Sequence, residues 1–103
     1  MSEILLLITT ESDNKKAKII AKLLLKKKLA ACVSIKEIYS IYEWGDDIEE
    51  TKEVEITIKS KPELKDDLIV FLQKMISYDV PQILYKEFHS ETKYGNWINK
   101  VLD

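Results

Sequence analysis

The stretch from Ala30 to Trp44 is dense in β-branched and aromatic residues and holds neither Gly nor Pro, so it reads as one long strand. Gly45 and Asp46 mark a turn. Ile48 to Lys59 then returns as a second long strand, with Ile48, Val54, Ile56 and Ile58 on one parity and Glu49, Thr51, Glu53, Glu55 and Thr57 on the other. A strand from Ala30 to Trp44 would reach roughly 50 Å at ~3.3 Å per residue. A compact chain of 103 residues has a radius of gyration of only about 13 Å. The outer half of this hairpin carries Ile38, Tyr39, Ile41, Tyr42, Trp44 and Ile48, a set that a lone two-stranded ribbon would expose at the cost of its stability. Either the hairpin packs on another copy of the chain, in a head-to-tail contact that can close into a ring, or a bulge folds it back on its own domain. Ala31, Val33 and Ile35 alternate cleanly with Cys32 and Ser34, but the phase is lost at Lys36-Glu37. That slip fits a bulge or a switch in the surface against which the strand packs.

The remaining elements fall around this hairpin. Glu3 to Thr10, with Ile4 to Ile8 apolar throughout, reads as a strand buried on both faces and so central in its sheet. Thr10 to Asp13 supply turn and N-cap chemistry. Asn14 to Leu29 reads as a helix, with Ala17, Ile20, Ala21 and Leu24 on its apolar face and Lys26-Lys27-Lys28 in its last turn, where positive charge complements the helix dipole. Ser60-Lys61-Pro62-Glu63 has the form of a capping box with Pro in the first turn. The helix it opens carries Leu64, Leu68, Phe71, Leu72 and Met75, and Tyr78-Asp79-Val80-Pro81 ends it. Gln82 to His89 reads as a strand with Ile83, Tyr85 and Glu87 on one face. Ser90 is then placed to cap a last helix with Tyr94, Trp97, Ile98 and Val101 on its buried stripe. The order β-α-β-β-α-β plus a C-terminal helix predicts a single α+β domain over residues 1–103, a ferredoxin-like antiparallel sheet with helices on one face.

Composition narrows the function. The 16 basic residues are all Lys, against 18 acidic ones. A near-neutral chain without Arg is poorly suited to nucleic acid, where bidentate contacts favour Arg. The longest apolar run is too short for a bilayer span, and Glu3 before it is the wrong charge for a secretion signal. One Cys suits a reducing compartment. These features predict a soluble cytoplasmic protein that does not insert in a membrane.

The catalytic inventory is thin. Neither the single Cys nor the single His has a local signature of nucleophilic or metal chemistry, and the glycines are isolated, so there is no phosphate loop. No enzyme is expected. Cys32 reads as a small core or interface residue and His89 as a surface or helix-entry residue. The acidic cluster Glu43, Asp46, Asp47, Glu49, Glu50, Glu53 and Glu55 could attract hard cations, or could form a solvated edge that discourages aggregation.

Leu29-Ala30-Ala31-Cys32-Val33, Tyr42-x-Trp44, Ile48-Glu49, Glu53-Val54, Ile58-Lys59, Tyr78-x-Val80-Pro81 and Tyr94-x-x-Trp97 occur in order. With this set the sequence resembles the CutA family of divalent-cation tolerance proteins from Ile4 to Leu102. The resemblance implies a ferredoxin-like fold, a tight homotrimer joined through long hairpins, and a link to tolerance of copper and other divalent metals without catalysis. It gives a stoichiometry to the hairpin set Ile38, Tyr39, Ile41, Tyr42, Trp44 and Ile48. Eukaryotic relatives are linked to membrane-protein trafficking, and the trimer is similar to PII signalling proteins, which bind small effectors between subunits. On that analogy Glu53, Lys59, Tyr78 and Pro81 would form an inter-subunit cleft where Lys59 could meet a small anionic ligand. A structural or trafficking adaptor is the third reading. The family's metal-associated Cys at the end of the first strand is Ile8 here, its His-Pro-Tyr motif reads Ile76-Ser77-Tyr78, and its Glu matches Glu53. Carboxylate alone favours harder ions than copper, so the expected site is degraded and binds copper or another divalent metal weakly through Glu53.

Overall fold

The computed structural model describes residues 2–103. Its elements are β1 (Ser2–Glu11), α1 (Asn14–Lys26), β2 (Cys32–Trp44), β3 (Asp47–Ser60), a 3-10 turn at Pro62–Leu64 leading into α2 (Lys65–Met75), β4 (Ile83–Ser90) and α3 (Thr92–Leu102). The strands form one antiparallel sheet in the order β2-β3-β1-β4. This is the expected α+β arrangement.

Strand alternation assigns the two sheet faces. Leu5 and Leu7 of β1 lie opposite Ser60 and Ile58 of β3 and are fully buried with Ala17, Ile20 and Leu24 of α1 and Leu68 and Leu72 of α2. Each such Leu or Ile contributes roughly 1.5–3 kcal/mol by leaving water. On the other face Ile4 packs with Ala31, Ile98 and Leu102 under α3. Leu6 and Ile8 on that face are only half-buried. β1 is central as expected but is not buried on both sides, because α3 covers one end of that face and stops.

Four local readings are corrected. α1 ends at Lys26 rather than Leu29. Lys28 turns the chain with a left-handed φ of 60°, and Leu29 N–H and Ala30 N–H both donate to the carbonyl of Leu24. Only Lys26 therefore lies in the last turn, while the Lys28 ammonium donates to the carbonyl of Val101 at 3.1 Å. Ser60 does not cap α2. It is still in β3, paired with Leu5, and its buried hydroxyl donates to Leu29 O at 2.7 Å, tying the α1–β2 connection to the sheet. The N-cap of α3 is Glu91, whose carboxylate accepts from Lys93 N–H and Tyr94 N–H, while Ser90 closes β4. Tyr94 and Trp97 are not on the buried stripe of α3. They stack on each other at 5.8 Å and stay 37% and 45% exposed, while Gly95, Ile98 and Leu102 meet the sheet.

The hairpin register runs without a skipped residue from Cys32↔Lys59 to Trp44↔Asp47. There is no bulge, so the phase slip marks a change in what the strand faces. β3 pairs with β1 only as far as Val54, and its outer half is a two-stranded ribbon with β2. Gly45 turns the tip at φ +65°, where a side chain would be strained whatever the space around it. Ile41 and Ile48 are about two thirds to three quarters exposed at 67% and 74%, so the ribbon is not folded back on its own core. The chain measures 47 × 24 × 22 Å.

Candidate functional site

A cleft of about 570 Å³ runs along the ribbon from Glu53 at its base to Trp44 near its tip. Register puts Thr10 of β1, Tyr42 and Trp44 of β2 and Glu49 and Glu53 of β3 on one sheet face, the face away from α1 and α2. The α2–β4 connection crosses the end of β1 and closes the cleft with Tyr78, Asp79 and Gln82.

Glu11 holds that crossing in place. It continues the buried parity of Leu5, Leu7 and Thr9 and is itself fully buried. One carboxylate oxygen accepts from Ser12 N–H at 2.7 Å and the other from Ser77 N–H at 3.0 Å, which offsets the cost of desolvating it. The next residue, Tyr78, is half-buried and donates its hydroxyl to Glu53 Oε1 at 3.0 Å. Burial first, then the hydrogen bond to Glu53 and the negative charge of Glu53 and Glu11, push the Tyr78 phenol well above its ordinary value. The phenol thus stays protonated and serves as a neutral donor to the carboxylate. Tyr42 OH shares a hydrogen bond with Thr51 Oγ1 at 3.2 Å, which fixes a second aromatic wall.

Glu53 and Tyr78 are therefore brought together. Lys59 is at the other end of β3, paired with Cys32, with its ammonium 5.7 Å from the Tyr94 ring centroid. Pro81 is half-buried beside the cleft but does not line it. Ile38, Tyr42 and Trp44 share the cleft face of the ribbon, while Tyr39, Ile41 and Ile48 occupy the reverse face. Within one chain the charges on the cleft wall are the carboxylates Glu49, Glu53 and Asp79, a field that disfavours an anion.

Soft metal ligands are not assembled here. Ile8 is half-buried, and Ile76 is packed in the core against α2 and the sheet. Cys32 is half-buried at the far end of the hairpin. His89, read as a surface or helix-entry residue, is exposed in β4, with Nδ1 4.0 Å from Glu3 Oε1. Among the described residues no three His, Cys, Asp or Glu side chains converge as a metal-binding group. Of the acidic cluster, Glu55 meets Lys36 at 3.6 Å, while Lys52, the lysine within that stretch, pairs with Glu37 outside it at 3.2 Å.

Sequence reasoning read Glu11 as turn chemistry and missed its anchoring role. The available signal was its parity, since a carboxylate at the end of a buried alternation needs backbone donors nearby. Asp79 and Ser77 had no such signal.

The profile of the family described as "CutA1 divalent ion tolerance protein" matches residues 5–101. The chain is 36% identical over 93 residues to "Protein CutA" of Mus musculus, covering 88% of this chain and 52% of that one. It is 35% identical over 80 residues to "Divalent-cation tolerance protein CutA" of Pyrococcus horikoshii, covering 78% of each. The chain thus spans about half the length of the mouse relative and most of the archaeal one. The solved structure of the "Periplasmic divalent cation tolerance protein CutA" from Archaeoglobus fulgidus superposes with a TM-score of 0.92 at 31% identity, covering 97% of this chain and 99% of that one.

Proposed function

The chain belongs to the CutA1 divalent ion tolerance family, and from that premise we propose that it acts in divalent-cation tolerance as a non-enzymatic homotrimer of single-domain subunits, spanning residues 1–103. The observation that supports this reading best is the hydrogen-bonded pair Tyr78–Glu53 at the mouth of an acidic, aromatic cleft. A phenol held protonated is a poor ligand, and carboxylates from Glu53, Glu49 and Asp79 favour hard divalent ions over copper. Any copper or other divalent metal is then bound weakly, and the softer ligands of the family site are replaced by Ile8 and Ile76.

The trimer reading rests on the ribbon. Its exposed side chains, Tyr39, Ile41, Tyr42, Trp44 and Ile48, together with half-buried Ile38, form more apolar surface than an isolated hairpin holds stably in water. The number three follows from the family resemblance. In such an assembly Glu53, Tyr78 and Pro81 of one subunit and Lys59 of a neighbouring one border the inter-subunit cleft. The acidic wall works against a small anionic ligand there. No helix among the described residues is long and apolar enough to cross a membrane. The lone free Cys32 is compatible with a reducing, cytoplasmic setting.

Calorimetric titration of the tag-free protein with copper and with zinc, alongside light scattering, tests the proposal. The expected result is a trimer with weak binding. A stable monomer, or tight stoichiometric copper binding, overturns it.

A further inference from the structure

The face of the molecule turned away from the cleft carries a second charge pattern. No acidic residue occurs between Asn14 and Lys36. Lys15, Lys18, Lys22 and Lys26 recur along α1 at spacings of three and four, opposite the buried stripe Ala17, Ile20, Ala21 and Leu24. Ile19 lies among these lysines at 49% exposure, and Leu25 flanks them at 42%.

Helix stability accounts only for Lys26, in the last turn. The first turn of α1 has no acidic residue, so Lys15 and Lys16 stand where the dipole is positive and disfavours them. Lys18, Lys22 and Lys26 are like charges at successive i,i+4 positions, which also disfavours the helix. Among the described residues no lysine of α1 forms an ion pair; Lys16 reaches only the hydroxyl of Ser77, at 3.4 Å. Near the C-terminal end of α1 a groove of about 450 Å³ opens against α2. Leu29, Val70, Phe71 and Met75 form its apolar lining, and Lys27 and Lys74 add positive charge, with Asp67 the one carboxylate.

We propose that the outer face of α1, with this adjoining groove, is a peripheral docking surface for an anionic lipid bilayer. The lysines neutralise headgroups, while Ile19 and Leu25 enter the interface between the lysine stems. The apolar groove takes the upper part of an acyl chain. Nucleic acid fits less well, because the patch has no Arg and its one aromatic, Phe71, is half-buried in the groove lining. The surface is on the opposite side of the sheet from the cleft.

The test is co-flotation of the full chain with phosphatidylcholine vesicles, with and without phosphatidylserine. Binding is expected only to the anionic vesicles and is expected to be released by high salt. The triple variant Lys15→Gln, Lys18→Gln, Lys22→Gln is expected to bind roughly a hundredfold more weakly. Its thermal midpoint should be at or above the parent's, because repelling charges are removed. Ile19→Gln alone is a second variant and should weaken binding several-fold. Failure of the parent to float with anionic vesicles, undiminished flotation of the triple variant, or displacement of bound protein from vesicles by polyuridylate at equal phosphate would overturn the proposal.

Discussion

The Tyr78 hydroxyl donates to Glu53 Oε1 at 3.0 Å, joining the α2–β4 connection to the base of the long ribbon. Neither residue is within hydrogen-bonding range along the chain, so the contact reports how the connection is carried across β1. Tyr78→Phe is expected to destabilise the fold by about 1 kcal/mol, a typical value for a half-buried hydrogen bond. Glu53→Gln should cost less, because an amide oxygen still accepts. Urea unfolding of both single variants and the double variant measures the coupling, and a coupling near zero would remove the pair as a structural link.

The same contact predicts a pH dependence. The folded Tyr78 phenol is raised above its ordinary value of 10.0. Above pH 10 the unfolded chain releases this proton while the folded chain retains it, so the unfolded state binds fewer protons and stability falls as pH rises. The contribution is fully present below pH 10 and is lost as the pH climbs through the raised folded value. Ultraviolet titration of the parent minus Tyr78→Phe should show a tyrosinate signal that rises only above the ordinary phenol value of 10.0. Ionisation of Tyr78 at the ordinary phenol value would contradict the geometry.

Glu11 is the buried anchor for Ser77. Glu11→Ala leaves a void and removes the acceptor for Ser77 N–H, with an expected cost of about 2 kcal/mol. Glu11→Gln keeps one acceptor and should cost less than half of that. Amide exchange at Ser77 should accelerate in the Ala variant while α1 amides keep their protection. Uniform loss of protection along the chain would assign Glu11 to general stability instead.

Ser60 distinguishes a helix cap from a strand-to-loop tie. Its hydroxyl donates to Leu29 O at 2.7 Å, so Ser60→Ala is expected to cost about 1–2 kcal/mol by leaving a part-buried carbonyl unpaired. Helicity of α2 should be unchanged by circular dichroism. Selective fraying of α2 would restore the capping role suggested by the local pattern.

Trp44→Ala and Tyr42→Ala remove apolar surface from the ribbon, where Trp44 is 63% exposed in the single chain. Light scattering across a dilution series should show each variant dissociating at higher concentration than the parent, with far-ultraviolet circular dichroism preserved. An unchanged assembly would exclude these side chains from the subunit contact.

The element order and the type of each element were legible because periodicity is a local property. Alternation in β3 and β4, the three-to-four spacing in α1 and the Gly45-Asp46 turn each express which side of one segment is apolar. Even the unusual hairpin announced itself, since strand length depends only on an unbroken run of β-forming residues. What escaped were roles that depend on a partner far along the chain. Ser60 and Ser90 each precede a helix, but both are still held in the sheet, so Glu91 caps α3 and α2 starts without a side-chain cap. Glu11 looks like turn chemistry until the end of α2 supplies the Ser77 N–H. The meeting of Glu53 with Tyr78 was decided when the α2–β4 connection crossed β1, whereas the extended geometry of β3 alone keeps Lys59 away from Glu53. By itself the sequence determined which segments become strands and helices and which faces must leave water. Only the tertiary structure decided which polar groups meet, because hydrogen bonds and desolvation depend on distances that local pattern does not encode.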